Sequence, residues 1–255
     1  GNHYFQTNAT AGLNMWYCTA TNVWTQGAKP TPAYGEMYYY TAAAGSPYAM
    51  DINIAGQYQG FALTATGTYL SGWTAKAGVK GVVSAVADNN GVSPNTILVT
   101  TSAPHGLDVG DYVVHNGFTT RTTYQGNYKV LTVPLSTTYT VARAYQTSTD
   151  TGWFQRSWSM RANTGSAGLY RVSFTMSSES DTGTTTYRLE VVKNSTNMDN
   201  IVAQQEHVTK STSGAMTAIG LVTIADDDVI YMSIKNQTDA SDFRVWTANL
   251  SLNRL

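Results

Sequence analysis

The chain has 255 residues, of which 42% are hydrophobic, and its formal net charge is -1. This is enough apolar material for one large domain or two modest ones. Charged residues make up only 12%, and the 15 basic residues are scattered without a run, which argues against nucleic-acid binding through phosphates. A single cysteine, Cys18, excludes an intrachain disulfide and a cysteine-rich zinc site.

The periodicity along the chain is that of β-strands. Short segments rich in Val, Ile, Thr, Tyr and Phe alternate along their length, and turn signals such as "SDTG" and "NQTD" separate them. The clearest segments are "GEMYYYT" (35–41), "YRVSFTMS" (170–177), "TYRLEVVKN" (186–194) and "DVIYMSIKN" (228–236). Helical spacing is nowhere sustained, so the sequence predicts an all-β fold. No apolar stretch approaches the ~20 residues of a membrane span, so no membrane insertion is expected.

The N-terminal stretch, "GNHYFQTNATAGLNMWYCTATNVWTQ" (1–26), has aromatic residues on both sides of a polar turn. It resembles the short hairpin module of phage tail fibres, with Asn2 in place of the usual Asp. The matching positions are Gly1, Tyr4, Phe5, Thr7, Trp16, Tyr17 and Trp24. Because a lone hairpin is only marginally stable in water, the resemblance implies neighbouring chains or a preceding fibre segment. Residues 27–33 are predicted to form a linker. The first predicted domain, residues 1–33, consists of the hairpin and this linker.

The chain begins with Gly1 rather than Met. We therefore expect that it was processed, trimmed or cut out of a longer polypeptide.

The segment "YGEMYYYTAAAGSPYAMDINIAGQYQGF" (34–61) resembles the opening strands of jelly-roll domains in bacteriophage virion proteins. A jelly roll needs about 8 strands. Enough strand candidates are found only when residues 34–89 are joined with 154–255. The sequence therefore predicts an antiparallel jelly-roll sandwich that is interrupted by an insertion at 90–153.

The insertion contains "TTSAPHGLDVGDYVVHNG" (100–117) and four short strand candidates. These are Ile97 to Thr100, Tyr112 to His115, Tyr128 to Val133 and Thr138 to Ala142. The pattern resembles a small β-barrel module of phage tail proteins, in which "PHGL" and "GD" are turn formers. The resemblance implies a small inserted barrel and carries no enzymatic activity with it.

His105 stands in this turn, so it invites a catalytic or metal-binding interpretation. No Cys or Ser nucleophile lies nearby, and the favoured interpretation is structural: the ring packs over the barrel or bonds nearby backbone, while Gly106 and Gly110 allow the turns. Asp111 is placed in the same structural group. A metal site formed by His105, His115 and Asp111 is the alternative, and it needs a fold that brings the three together.

The last third of the chain carries the second half of the predicted jelly roll. "GLYRVSFTMSSES" (168–180), "ADDDVIYMSIKN" (225–236) and "DFRVWTANLSLNRL" (242–255) resemble, in order and spacing, strands of the trimeric C1q and tumour-necrosis-factor superfamily. The resemblance implies a homotrimer. The candidates for core or trimer packing are Tyr170, Val172, Phe174, Ile230, Phe243 and Trp246.

Other candidate sites are weaker. The acidic run at 226–228 could bind calcium, but it lacks the EF-hand spacing and is better explained as a solvated loop. No phosphate loop, nucleophile elbow or paired glycosidase carboxylates are visible. The 17 tyrosines and 6 tryptophans could stack on sugars, although in an all-β trimer they more often fill cores and interfaces. No receptor-binding residue can be assigned.

The sequence thus predicts a non-enzymatic phage virion protein without a cofactor, found in the virus particle. Its expected partners are itself, as a homotrimer, other virion proteins and, on the host surface, a glycan or another receptor. A tail-fibre or appendage module is favoured. A capsid decoration or head-fibre protein is one alternative, and a polysaccharide-degrading tail spike enzyme is another.

Overall fold

The computed structural model describes residues 3–5, 15–20, 23–27, 33–41, 47–50, 56, 58–89, 95–147, 149–180, 184–195, 200–209 and 214–255. The chain divides into two compact units, residues 1–33 and 34–255. Among the described residues, no helix has the length and apolar character needed to cross a membrane.

The first unit is a small antiparallel sheet of three strands, in the order β1-β2-β3. Its strands are β1 His3–Phe5, β2 Met15–Ala20 and β3 Val23–Gly27. The predicted hairpin is therefore extended by one strand. Gly1, Asn2 and Thr7, together with most of the linker, lie outside the described residues.

The second unit is an antiparallel jelly-roll sandwich with an inserted barrel, so the predicted all-β fold class is confirmed. The first sheet has the strand order β18-β17-β20-β15-β8, and β6 also pairs with β20. Its strands are β6 Tyr58–Gly60, β8 Trp73–Lys76, β15 Ser159–Ala162, β17 Thr185–Lys193, β18 Ile201–Thr209 and β20 Val229–Asn236.

The second sheet has the order β19-β16-β21-β4-β7, and β5 also pairs with β21. Its strands are β4 Tyr34–Tyr40, β5 Tyr48–Met50, β7 Gly67–Ser71, β16 Gly168–Ser180, β19 Gly214–Ile224 and β21 Phe243–Arg254. Alternate residues of β16 point into the sandwich. Aromatic side chains fill the core, as in the contact of Phe61 with Phe174, whose ring centroids lie 6.2 Å apart.

The closed barrel has six strands, in the order β10-β13-β12-β11-β14-β9. They are β9 Val79–Asp88, β10 Thr96–Thr101, β11 Tyr112–Asn116, β12 Gly126–Leu135, β13 Thr138–Ala142 and β14 Gly152–Arg156. One 3-10 turn, Thr122–Tyr124, precedes β12.

The barrel is larger than the predicted insertion. The four predicted strands correspond to β10 to β13, but β9 and β14 close the barrel by pairing with each other, from Gly152 with Val83 to Arg156 with Val79. The barrel therefore covers residues 79–156 rather than 90–153. It is inserted between β8 and β15, which pair directly through Lys76 and Ser159. Whether the barrel folds independently stays a prediction.

The barrel packs on the outer face of the first sheet. The ring of Tyr112, on the barrel, stacks on Tyr231 of β20 with centroids 5.5 Å apart. Val192 and Val229 are buried in the same cluster, and the Gln155 side-chain amide donates to the Gly60 carbonyl. The barrel consequently covers the outer face of the first sheet around β6 and β20, whereas Ile201 and Val208 of β18 stay exposed.

Candidate functional site

The turn at His105 is built into the barrel core. Only 2% of His105 is exposed, and its ring meets the rings of Tyr139 and Phe154 edge-on, with centroids 5.2 and 6.4 Å away. The Leu107 backbone N–H donates to Nδ1 at 2.9 Å. Because Nδ1 accepts, Nε2 of the neutral ring carries the proton, and it lies 3.3 Å from the Thr138 carbonyl oxygen.

The two glycines of this turn have left-handed backbone conformations. Gly106 has φ +61° and Gly110 has φ +88°, a region that side chains with a Cβ rarely adopt. These conformations reverse the chain so that His105 points inward and Asp111 points toward the first sheet. The turn therefore depends on a backbone conformation, at both positions, that favours glycine.

Asp111 is the centre of a charge cluster that joins the barrel to the sandwich. Its side chain is 3% exposed and accepts from Arg156 at 2.7 Å and from Lys76 at 2.7 Å. Arg161 lies 3.8 Å away. Arg156 also donates to the carbonyl oxygens of Gly106 and Ala77. This cluster fixes the "GLDVGD" turn against the strands that leave and enter the first sheet.

His115 lies inside the barrel and is fully buried. Its Nε2 is 2.7 Å from the Tyr139 hydroxyl. Burial lowers the pKa of His115 from 6.5 to about 3, because a charged ring is poorly solvated there. The ring is therefore neutral at neutral pH.

The arrangement does not favour the three-residue metal site. The rings of His105 and His115 both contact Tyr139, whereas the Asp111 carboxylate is taken up by basic side chains. Within the described part of the chain, no group of three or more His, Cys, Asp or Glu side chains is placed to hold a metal ion.

The acidic run at 226–228 is used mainly as a set of backbone caps. Asp226 accepts from the backbone N–H groups of Gly165, Ser166 and Ala167 at 3.0 to 3.1 Å. The Asp228 carboxylate accepts from the Ala225 N–H and from Lys193. Two of the three carboxylates thus have protein donors, which leaves little support for the calcium alternative.

The packing candidates lie mostly in the sandwich core. Five of the six are fully buried within one chain: Tyr170, Val172, Phe174, Ile230 and Phe243. Trp246 is only half-buried, because the register of β16 and β21 shifts between Ser177 and Ser178 and leaves Trp246 in a bulge. Whether any of them contacts another copy stays a prediction.

The outer face of the second sheet is different, because no described element of the second unit covers it. We call its outward-pointing residues the open face. Large exposed side chains on this face are Tyr34, Tyr40, Tyr69, Leu169, Ile219 and Leu221. Exposed apolar patches of this kind mark interaction surfaces in soluble proteins.

The open face has two unlike halves. The tyrosines stand on β4 and β7 at one edge, and Tyr38 stacks on Tyr69 with centroids 6.1 Å apart. The aliphatic residues stand on β16 and β19 at the other edge. Between them runs a polar strip, in which the Ser173 and Ser251 hydroxyls lie 2.8 Å apart and Asn249 donates to Glu36.

No family model and no curated protein matches this chain. Among solved structures, dimeric latent PorU from Porphyromonas gingivalis is 9% identical over 72% of this chain and 24% of its own, with a TM-score of 0.27. An isomalto-dextranase from Arthrobacter globiformis T6, in complex with panose, is 10% identical over 61% and 34%, with a TM-score of 0.21. The insecticidal delta-endotoxin Cry8Ea1 from Bacillus thuringiensis is 10% identical over 86% and 52%, with a TM-score of 0.24. The chain spans about a quarter to a half of these proteins.

Neither the open face nor the partners of Asp111 were predicted from the sequence. A signal for the open face was present in "AIGLVTI" (218–224), where apolar residues occupy both faces of the strand. A continuous apolar run is typical of a strand that is covered on both sides. The partners of Asp111 gave no local signal, because Arg156 is 45 positions away.

Proposed function

We propose that the chain is a non-enzymatic structural protein of a phage virion, which assembles as a homotrimer through the open face. The observation that carries this proposal is the contrast between the two sheets. The barrel covers the β6 and β20 part of the first sheet, whereas the second sheet presents a larger set of apolar side chains to solvent across its outer face. Burying such a face would remove apolar area from water.

The two halves of the open face suit a contact between copies of the chain. Placing the tyrosine half of one copy on the aliphatic half of the next buries aromatic rings against Ile219 and Leu221, a pairing that protein interfaces favour. The polar strip between the halves is already hydrogen-bonded within the chain, so its burial leaves few polar groups without partners. That the proposed assembly has three chains rests on the sequence resemblance to trimeric jelly rolls.

The place in the virion also rests on sequence resemblance. The N-terminal hairpin and the "PHGL" barrel favour a tail fibre or appendage, with other virion proteins as neighbours and a host-surface glycan as a further partner. A capsid decoration or head-fibre protein would use the same trimer at a different position.

Labelling of the parent virus particle with antibodies against this chain, followed by electron microscopy, tests the assignment. We expect label on fibres or appendages of the tail. Label on the shell would support the decoration alternative, and absence of label from the particle would contradict a virion role. Release of reducing sugars from host polysaccharide by the purified chain would support the spike-enzyme alternative.

A further inference from the structure

Three neighbouring surface depressions, which share lining residues, follow one another along the side of the barrel. Their volumes are about 320, 410 and 460 Å³, and all three are open to solvent. The first two share Ala142 and Arg143, and the second and third share Lys129. We call the whole the barrel groove. It runs from Asn95 to the junction with the sandwich at Asp227.

The barrel groove exists because β12 and β13 diverge. Their pairing begins only at Val130 with Val141 and shifts register twice after that. Residues 126–129 of β12 therefore have no partner on β13. The Tyr124 hydroxyl instead bonds the backbone of Gln146, accepting from its N–H at 2.8 Å and donating to its carbonyl at 2.5 Å. The divergence is thus held open by a specific side chain.

The barrel groove carries charges of both signs, and Lys129 Nζ lies over the Tyr112 ring, 5.9 Å from its centroid. Within the described residues, neither Lys129 nor Arg143 forms an ion pair, and the Asp227 carboxylate accepts no hydrogen bond. Arg161 adds a guanidinium whose only ion-pair partner among these residues, Asp111, lies 3.8 Å away. Leu131, 39% exposed, supplies an apolar contact.

The mixture of positive and negative charges in the barrel groove determines which class of polymer can bind there. At the junction end the acidic run opposes a polyanion, and Lys129 and Arg161 in the same depression oppose a polycation. Arg143 opposes a polycation farther along. Sugar hydroxyls both donate and accept, so one neutral chain can donate to Asp227 and accept from Lys129. We propose that the barrel groove binds an extended, neutral oligosaccharide.

This inference deepens the host-glycan part of the proposed function and rests on it for its biological meaning. The site is nevertheless distinct from the assembly surface, because the barrel groove is lined by barrel residues and by the loop at Asp227, whereas the open face is the outer surface of the second sheet. An experiment can therefore contradict the prediction of glycan binding without contradicting the prediction of a trimer, and the reverse.

The test uses the full chain with maltohexaose, cellohexaose and a galactan-derived hexasaccharide, and with the matching disaccharides, in isothermal titration. We expect at least one hexasaccharide to bind, more tightly than its disaccharide, with an affinity that changes little with salt. The double variant Lys129→Ala, Asp227→Asn should weaken binding about tenfold or more, the effect of losing hydrogen bonds to charged groups. Lys80→Ala, on a barrel strand outside the groove, is the matched control and should bind normally.

Several results would overturn the inference. They are no binding by any hexasaccharide, equal weakening by Lys80→Ala, or stronger binding of heparin with a steep salt dependence, which would identify a polyanion site. Light scattering on every variant reports the oligomeric state. An unmodified chain that binds a hexasaccharide but is a monomer would contradict the proposed trimer alone, and a trimer that binds no hexasaccharide would contradict this inference alone.

Discussion

The two histidines of the barrel show how one residue type serves two structural roles. His105 shapes a turn by accepting from the Leu107 N–H, whereas His115 bonds the Tyr139 hydroxyl inside the core. Neither ring is exposed beyond 2%, so a substrate in solution would meet neither.

We expect His105→Asn to lower the free energy of unfolding by about 2–4 kcal/mol, since it removes a ring packed in the core and the acceptor of a buried N–H. This exceeds the 1–2 kcal/mol typical of a turn residue with one lost hydrogen bond. Urea unfolding measured by fluorescence gives the value. A loss below about 1 kcal/mol would contradict the buried packing of the ring.

His115 should make stability depend on pH. Because its pKa in the folded chain is about 3, below the usual 6.5, the unfolded chain binds one more proton between these values. The stability that the neutral His115 ring gives to the folded chain is complete above pH 6.5. It is lost as the pH falls toward 3, so that the free energy of unfolding drops by about 1.4 kcal/mol per pH unit. In His115→Gln, unfolding followed from pH 7 to 4 should show a shallower slope. An unchanged slope would refute this origin.

Much at the residue scale could be predicted from the sequence. The glycines after "PH" and before "D" predicted the turn, because positive φ angles favour glycine. The interior position of His105 could not be predicted, because it depends on Tyr139 and Phe154 from two other strands. Trp246 likewise depends on a bulge that only the pairing with β16 reveals.

At the scale of elements, the junction between barrel and sandwich depends on one buried carboxylate. Asp111→Asn would leave Arg156, with a side chain 10% exposed, without its charged partner. We expect a loss of about 3–5 kcal/mol, as for one half of a buried ion pair. Asp108→Asn is the matched control, because its side chain is 72% exposed and such pairs contribute about 0–1 kcal/mol. Equal losses in the two variants would contradict the central role of Asp111.

The insertion shows which features of an element are encoded locally. Strands β10 to β13 follow each other directly along the chain, and alternation predicted them. Strand β9 has the same kind of pattern, but alternation does not say which sheet a strand joins. Its pairing with β14 connects Val83 to Gly152, and long-range pairing of this kind is fixed only by tertiary packing.

At the scale of the whole molecule, the proposed trimer depends on the open face. Leu221→Lys places a charge in the aliphatic half, and burial of an unpaired charge is costly. We expect this variant to sediment as a monomer. Leu135→Lys is the matched control, since Leu135 on the barrel is 64% exposed and Leu221 is 63% exposed. Dissociation of both variants, or of neither, would place the subunit contact elsewhere.

The most direct test is the molar mass of the unmodified chain in solution. Multi-angle light scattering after size exclusion, at micromolar concentration, should give three times the mass of one chain, with the open face protected from hydrogen exchange. A monomer that melts cooperatively, or a trimer in which the backbone amides around Ile219 and Leu221 exchange freely, would contradict assembly through the open face.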